Sequence, residues 1–327
     1  MTNNNEALLQ LQIGKETTIG TGVTPTAILM GVTDPEITAD NKTTILGKQK
    51  RGTYYPGHAA VLNAVKGKGK FGMDASYEDA CYLLEGMTGV ATPSGGGPYV
   101  RTGAAPASTS PTPRMNSYVL GAKGASTAMK LISGIHDTLT IKGNAAEGVM
   151  IDSELIGQKM IETAGLTSLS QRDVNWVLAH QGAISVDAWG GTIGATVYDD
   201  AFWSFEMQIN AHRMLTQKIG NLSPTQLEEG QWDGTLKLVW EFNADSQALA
   251  KAIAEQTDTV GRQVRFLFTS GTNIFQVDFA GVFTKGIPAF EMNDGLVSYA
   301  LEMEGLYNPT LGNWFQWSIT NDVATLA

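Results

Sequence analysis

Lys70-Phe71-Gly72-Met73-Asp74-Ala75-Ser76-Tyr77 and Thr235-Leu236-Lys237-Leu238-Val239-Trp240-Glu241-Phe242 are the two stretches on which the reading of this chain turns. In the first, Phe71, Met73, Ala75 and Tyr77 alternate with Lys70, Asp74 and Ser76. In the second, Leu236, Leu238, Trp240 and Phe242 alternate with Thr235, Lys237 and Glu241. A period of two sends successive side chains to opposite sides of a pleated strand, so each stretch reads as a strand with one buried face. Each is followed by residues that cap helices, Glu78-Asp79 or Asn243-Ala244-Asp245-Ser246, and then by a short helical run, 80–87 or 247–254.

Outward from these two stretches, further echoes appear in one order. Glu36-Ile37-Thr38-Ala39 is answered by Gln208-Ile209-Asn210-Ala211, Thr140-Ile141-Lys142-Gly143 by Asp278-Phe279-Ala280-Gly281, and Glu154-Leu155-Ile156-Gly157 by Glu302-Met303-Glu304-Gly305. An order of elements that recurs while the loops change length is how diverged duplicates look. The alternative is two unrelated β domains of similar texture. The expected organisation is a first domain over 1–165, a second over 166–312 and an aromatic tail over 313–327. That tail carries Trp314, Phe315 and Trp317, too apolar to stay in water, so it docks on its own domain or on a neighbouring subunit. The stretch 89–114, rich in Gly, Pro, Ser, Ala and Thr, reads as a mobile surface loop with a short strand at Tyr99–Arg101.

Composition agrees with a mainly β chain with one short helix per domain. In 327 residues, 43% are hydrophobic and 17% charged, enough for two cores, and aromatic runs are bounded by Gly, Asp, Asn or Thr. The net charge of −10 argues against a protein that grips nucleic acid, because phosphate binding needs concentrated Lys and Arg. It is compatible with a wall past which DNA slides. The opening MTNNNEALLQLQIGKETT lacks a basic flank and a long apolar run, and no segment approaches the roughly 18 apolar residues of a membrane span, so no membrane insertion is expected. A single cysteine, Cys81, rules out an intrachain disulfide or thiolate metal cluster.

Motifs for chemistry are weak. Gly67-Lys68-Gly69-Lys70-Phe71-Gly72 has the spacing of a dinucleotide fingerprint but leads into a strand where a helix is required, so it reads as a flexible lead-in. His58, His136, His180 and His212 show no metal-ligand spacing, Cys81 lies in an apolar helical run, and Asp199, Asp200, Glu228 and Glu229 read as solvated turns. Neither an enzyme, a cofactor nor a metal is expected.

The order of elements, the opening Ile13-Gly14-Lys15-Glu16-Thr17-Thr18-Ile19-Gly20-Thr21-Gly22 and the run Ala201-Phe202-Trp203-Ser204-Phe205-Glu206-Met207-Gln208-Ile209-Asn210 resemble the major tail tube proteins of long-tailed, non-contractile, siphovirus-type bacteriophages. The likeness spans roughly 13–307. It implies two tandem, duplicated tail-tube-type β-sandwich or half-barrel domains whose sheets complete a closed barrel in an oligomeric ring. It also implies a structural virion protein, made in the host cytoplasm, whose rings stack into a tube that conducts DNA during ejection and meets other tail proteins at its ends. Six domains per ring make either a ring of three chains with pseudo-sixfold symmetry or, if one half alone lines the lumen, a hexamer.

On this reading the polar strand faces supply lumen candidates: Asp74 and Ser76, Lys237 and Glu241, and Asp152, Glu154, Glu302 and Glu304. The basic, aromatic stretch between Asp40 and Lys66, with Lys42, Lys48, Lys50, Arg51, Tyr54 and Tyr55, supplies inter-ring contacts by long-range attraction and tyrosine burial. Two alternatives stand beside it: another tail component of related fold, such as a contractile-tail tube or a distal tail or baseplate hub, and a carbohydrate-binding β-sandwich of the host-recognition apparatus.

Overall fold

The computed structural model describes residues 8–46, 59–106, 113–198, 201–255, 261–283, 290–293 and 296–326. The chain is mainly β. Its first half comprises β1 (Leu9–Lys15), β2 (Ala27–Ile28), β3 (Val32–Ala39), β4 (Lys42–Leu46), β5 (Ala59–Ala64), β6 (Gly67–Asp74), α1 (Ala80–Thr88), β7 (Tyr99–Ala104), β8 (Asn116–Ala122), β9 (Thr127–Asn144), β10 (Val149–Gly157) and β11 (Lys159–Ala164). Its second half comprises β12 (Gly182–Ala188), β13 (Val197–Tyr198), β14 (Phe202–Asn210), β15 (Met214–Thr216), β16 (Gln226–Glu228), β17 (Asp233–Glu241), α2 (Ala244–Glu255), β18 (Gly261–Ser270), β19 (Asn273–Phe283), β20 (Phe290–Asn293), β21 (Leu296–Gly305) and β22 (Phe315–Asn321).

The halves pair their strands in the same order, all antiparallel. In the first the sequence of neighbours is β1-β8-β9-β10-β6-β3. In the second it is β12-β18-β19-β21-β17-β14. Long strands pass between layers: β9 pairs β8 and β11 near its start and β10 near its end, so each half has a back sheet and a front sheet. The alternating apolar residues fill the space between them, with Phe71, Met73, Ile141, Ile151, Met207, Leu236, Leu238, Trp240, Leu301 and Met303 all buried.

Register corrects the sequence alignment. Lys70 stands opposite Glu154 and Glu36, and Lys237 stands opposite Glu302 and Glu206. Lys70 therefore corresponds to Lys237, not to Thr235, and Glu36 to Glu206, not to Gln208. Likewise Ile156 meets Ile135 where Glu304 meets Val282, which pairs Gly281 with Gly134 in place of Gly143. Alternation could not detect the two-residue slips in the first two cases, because an even shift leaves every side chain on its own face. Both edge strands also carry a bulge at the same place, between Thr33 and Glu36 and between Phe202 and Ser204.

Two further readings change. The Gly-rich run 67–72 is strand β6 itself, and its glycines serve close packing: a Cβ on Gly67 would lie 2.4 Å from Leu131 Cδ1 and one on Gly72 2.5 Å from Thr33 Oγ1. The stretch 89–114 is no loose loop over its described part. Tyr99–Ala104 is a full strand, and Arg101 and Arg114 are buried around the Glu85 carboxylate of α1. Residues 107–112 lie outside the described residues.

The halves are joined twice. The end of β9 pairs with β14, with Lys142 opposite Glu206 and Thr138 opposite Asn210, so the front sheets run on from one half into the other. The aromatic tail becomes β22, held between β19 of its own half and β7 of the first. Phe315 and Trp317 are buried there; Trp317 Nε1 donates to Thr88 Oγ1 at 2.9 Å and Asn321 Nδ2 to the Tyr77 carbonyl at 2.7 Å. All nine residues of α1 are buried beneath this cover. Burial pushes the Cys81 thiol up to about 12, which leaves it an inert packing group.

Candidate functional site

Fourteen or more side chains share the polar side of the joined front sheet, because the pleat repeats every two residues and the register carries one row into the next. Across the first half run Glu36, Lys70, Glu154 and Thr138, continuing to Asn210 and Asp233. Beside them run Asp152, Thr140, Gln208, Thr235 and Glu304. A third row holds Lys142, Glu206, Lys237 and Glu302. The Glu-Lys-Glu ladder of Glu36, Lys70 and Glu154 is thus repeated by Glu206, Lys237 and Glu302.

Carboxylates outnumber ammonium groups on this face: Glu36, Asp152, Glu154, Glu206, Asp233, Glu302 and Glu304 stand against Lys70, Lys142 and Lys237. Lys70 Nζ lies 2.9 Å from Glu36, and hydrogen bonding to that carboxylate holds its pKa above the ordinary lysine value. Lys142 pairs with Asp152. Pairs this exposed contribute little to stability, so their effect is on the local field: cation sites are neutralised and the surplus charge is negative.

Of the residues expected to share a surface, Asp152, Glu154, Lys237, Glu302 and Glu304 are brought together here. Asp74 is exposed at the end of β6, opposite Met150. Glu241 has the same parity as Lys237 but lies at the far end of β17, partly buried and opposite the buried Ser298. Ser76 does not belong: it is fully buried, and its Oγ accepts the Asp79 amide at the start of α1. The strand ends at Asp74, so the alternation that included Ser76 ran past it into a helix cap. Lys42 begins β4 and is exposed. Lys48, Lys50, Arg51, Tyr54 and Tyr55 lie outside the described residues. Glu36, Lys142 and Glu206 were missed, since only pairing register reveals that they join the same rows.

Arg213 was also missed. It is 4% exposed and reaches from the second half into the first, donating to the Gly86 carbonyl at 3.1 Å and to the Met87 and His136 carbonyls. Glu229 accepts its Nε at 2.8 Å, and Trp232 lies against the guanidinium. The carbonyls are at the C-terminal end of α1, where the helix dipole favours a cation. Beside it His136 is enclosed between Tyr118 and Ser153, and burial, then the Arg213 charge, pull its pKa down to about 3.

A separate hollow at the junction is lined by Tyr198, Phe202, Trp203, Phe205 and Phe268, with His180 at its side. The buried Trp203 indole N–H has no hydrogen-bond partner there. Among the described residues, no group of three or more His, Cys, Asp or Glu is arranged to hold a metal, and no helix is long and apolar enough to cross a membrane. Neither a protein-family model nor a curated protein sequence matches the chain.

Proposed function

We propose that this chain is the structural unit of a phage tail tube, a virion protein of duplicated tail-tube-type domains whose rings stack into a conduit for DNA. The observation that carries the reading is the pairing of β9 with β14. Strand β14 is the edge of the second half, and β3 is its counterpart in the first; among the described residues β3 pairs only with β6. At the other end β20, the counterpart of the end of β9, pairs only with β21 among the described residues. An unpaired edge invites another strand. The internal junction supplies a template for that pairing, so β20 of one chain takes β3 of the next, and three chains of two domains close a barrel of pseudo-sixfold symmetry.

In that ring the buried side of the front sheet faces its own core, and the rows from Glu36 to Glu304 line the bore. Their surplus of carboxylate repels phosphate, which suits passage rather than retention of DNA. Lys42 and the stretch with Lys48, Lys50, Arg51, Tyr54 and Tyr55 contact the next ring, and other tail proteins cap the ends.

Negative-stain microscopy of the purified chain tests the reading: rings or tubes of uniform bore are expected, and a lasting monomer at high concentration would refute it. Replacing Lys48, Lys50 and Arg51 by Glu should leave rings that do not stack. The aromatic hollow around Trp203 favours the carbohydrate-binding alternative, which instead requires glycan affinity from a monomer.

A further inference from the structure

The two short hairpins, β4–β5 and β15–β16, occupy the same place in their halves. Continuing the registers of the front sheets sets the pair Met214–Glu228 at the position of Thr44–Val61. Arg213 then corresponds to Thr43, Leu215 to Ile45, Glu229 to Leu62 and His136 to Phe283. In the second hairpin these positions are covered: Leu215 is 7% exposed, Arg213 is buried, and both sit against the first half of the same chain, beside β10 and the end of α1. In the first hairpin they are bare. Ile45 is 52% exposed and Leu62 41%, with Thr43 beside them on the same hairpin face.

Two large apolar side chains on one side of a two-stranded hairpin cost free energy in water unless something covers them. The internal junction identifies what does. We propose that Thr43, Ile45 and Leu62 of one chain dock on the second half of another copy, against Phe283 and the last turn of α2. The seam between chains is apolar where the junction inside the chain is ionic. This rests on the ring reading and adds to it the side-chain contact surface and its chemistry. An ionic latch suits halves that are always tethered. An apolar contact suits separate chains, because it needs no buried charge to be matched on arrival.

The test uses the full chain with Ile45→Glu and Leu62→Glu together, and Val90→Glu as a control at an exposed apolar position elsewhere. Sedimentation and micrographs should show the concentration needed for ring formation raised by at least about tenfold in the double variant and unchanged in the control, since a carboxylate buried in an apolar contact costs more than 1.4 kcal/mol. Melting of the unassembled chain should stay near the wild-type value. A photo-crosslinker, p-benzoylphenylalanine in place of Leu62, should label a peptide of a second copy that contains Phe283. Normal assembly of the double variant, or labelling of a different surface of the second copy, overturns the seam while leaving the ring intact. A wild-type chain that never assembles overturns both.

Discussion

The helices of the two halves begin alike and end in different surroundings. In α1 the buried Asp79 amide is capped by Ser76, and in α2 the buried Ser246 amide is capped by Asn243 Oδ1. Yet every residue of α1 is buried, whereas α2 exposes Ala244, Asp245, Gln247, Ala248 and Lys251. The difference comes from outside each helix. Strands β7 and β22 close over α1, and Arg213 of the second half binds its last carbonyls; neither device is repeated at α2 among the described residues. The same strand–helix–strand unit is thus completed by its own chain in one half and left open in the other, which is where a second copy has room to act.

Removing the cover should have the largest effect. A chain ending at Asn313 loses β22, leaving α1, β7 and the β19 edge bare, and should be insoluble or lack a cooperative melt, although the deletion touches only the second half. A soluble, cooperatively folded truncation would show that α1 is held by the first half alone. Next is Arg213→Met. It strands the Glu229 carboxylate and three buried carbonyls and should cost about 3–5 kcal/mol in denaturant unfolding. A loss below about 1 kcal/mol would mean that the latch is incidental.

His136 sharpens the contrast, because Phe283 takes its position in the second half. Its pKa is lower in the folded chain, near 3, than the ordinary 6.5, so the unfolded chain binds the extra proton between these values. Stability from this group is full above about pH 6.5 and should fall by up to about 1.4 kcal/mol per unit as pH drops towards 3. His136→Phe should flatten that slope. It should also cost about 1–3 kcal/mol at neutral pH, because Tyr118 and Ser153 lose their partner. An unchanged slope would place the acid sensitivity elsewhere. The smallest effects belong to the ladders: Lys70→Ala and Lys237→Ala should each change stability by less than about 1 kcal/mol, and by similar amounts. A large difference between them would break the equivalence of the two polar rows.

Much of this architecture was legible in the sequence. The alternation in 70–77 and 235–242 identified two half-buried strands and their apolar faces, and the caps after them located both helices. It overran where Ser76 leaves the strand, since a capping serine and an outward strand serine look the same in a pattern of two. It also aligned Lys70 with Thr235, because a slip of two residues is invisible to a period of two. The Gly- and Pro-rich composition of 89–114 concealed Tyr99–Ala104, a strand formed only against the C-terminal β22. Arg213 carried no local signal, as its acceptors are backbone carbonyls more than 70 residues away in the chain.

By itself, then, the sequence determined which residues form strands and which side of each strand is apolar, because alternation and capping act between neighbours in the chain. Only the tertiary structure decided which strands pair, in what register, and that one helix is sealed by the far end of the chain. Those choices depend on hydrogen bonds and burial between segments far apart in sequence, where no local pattern reaches.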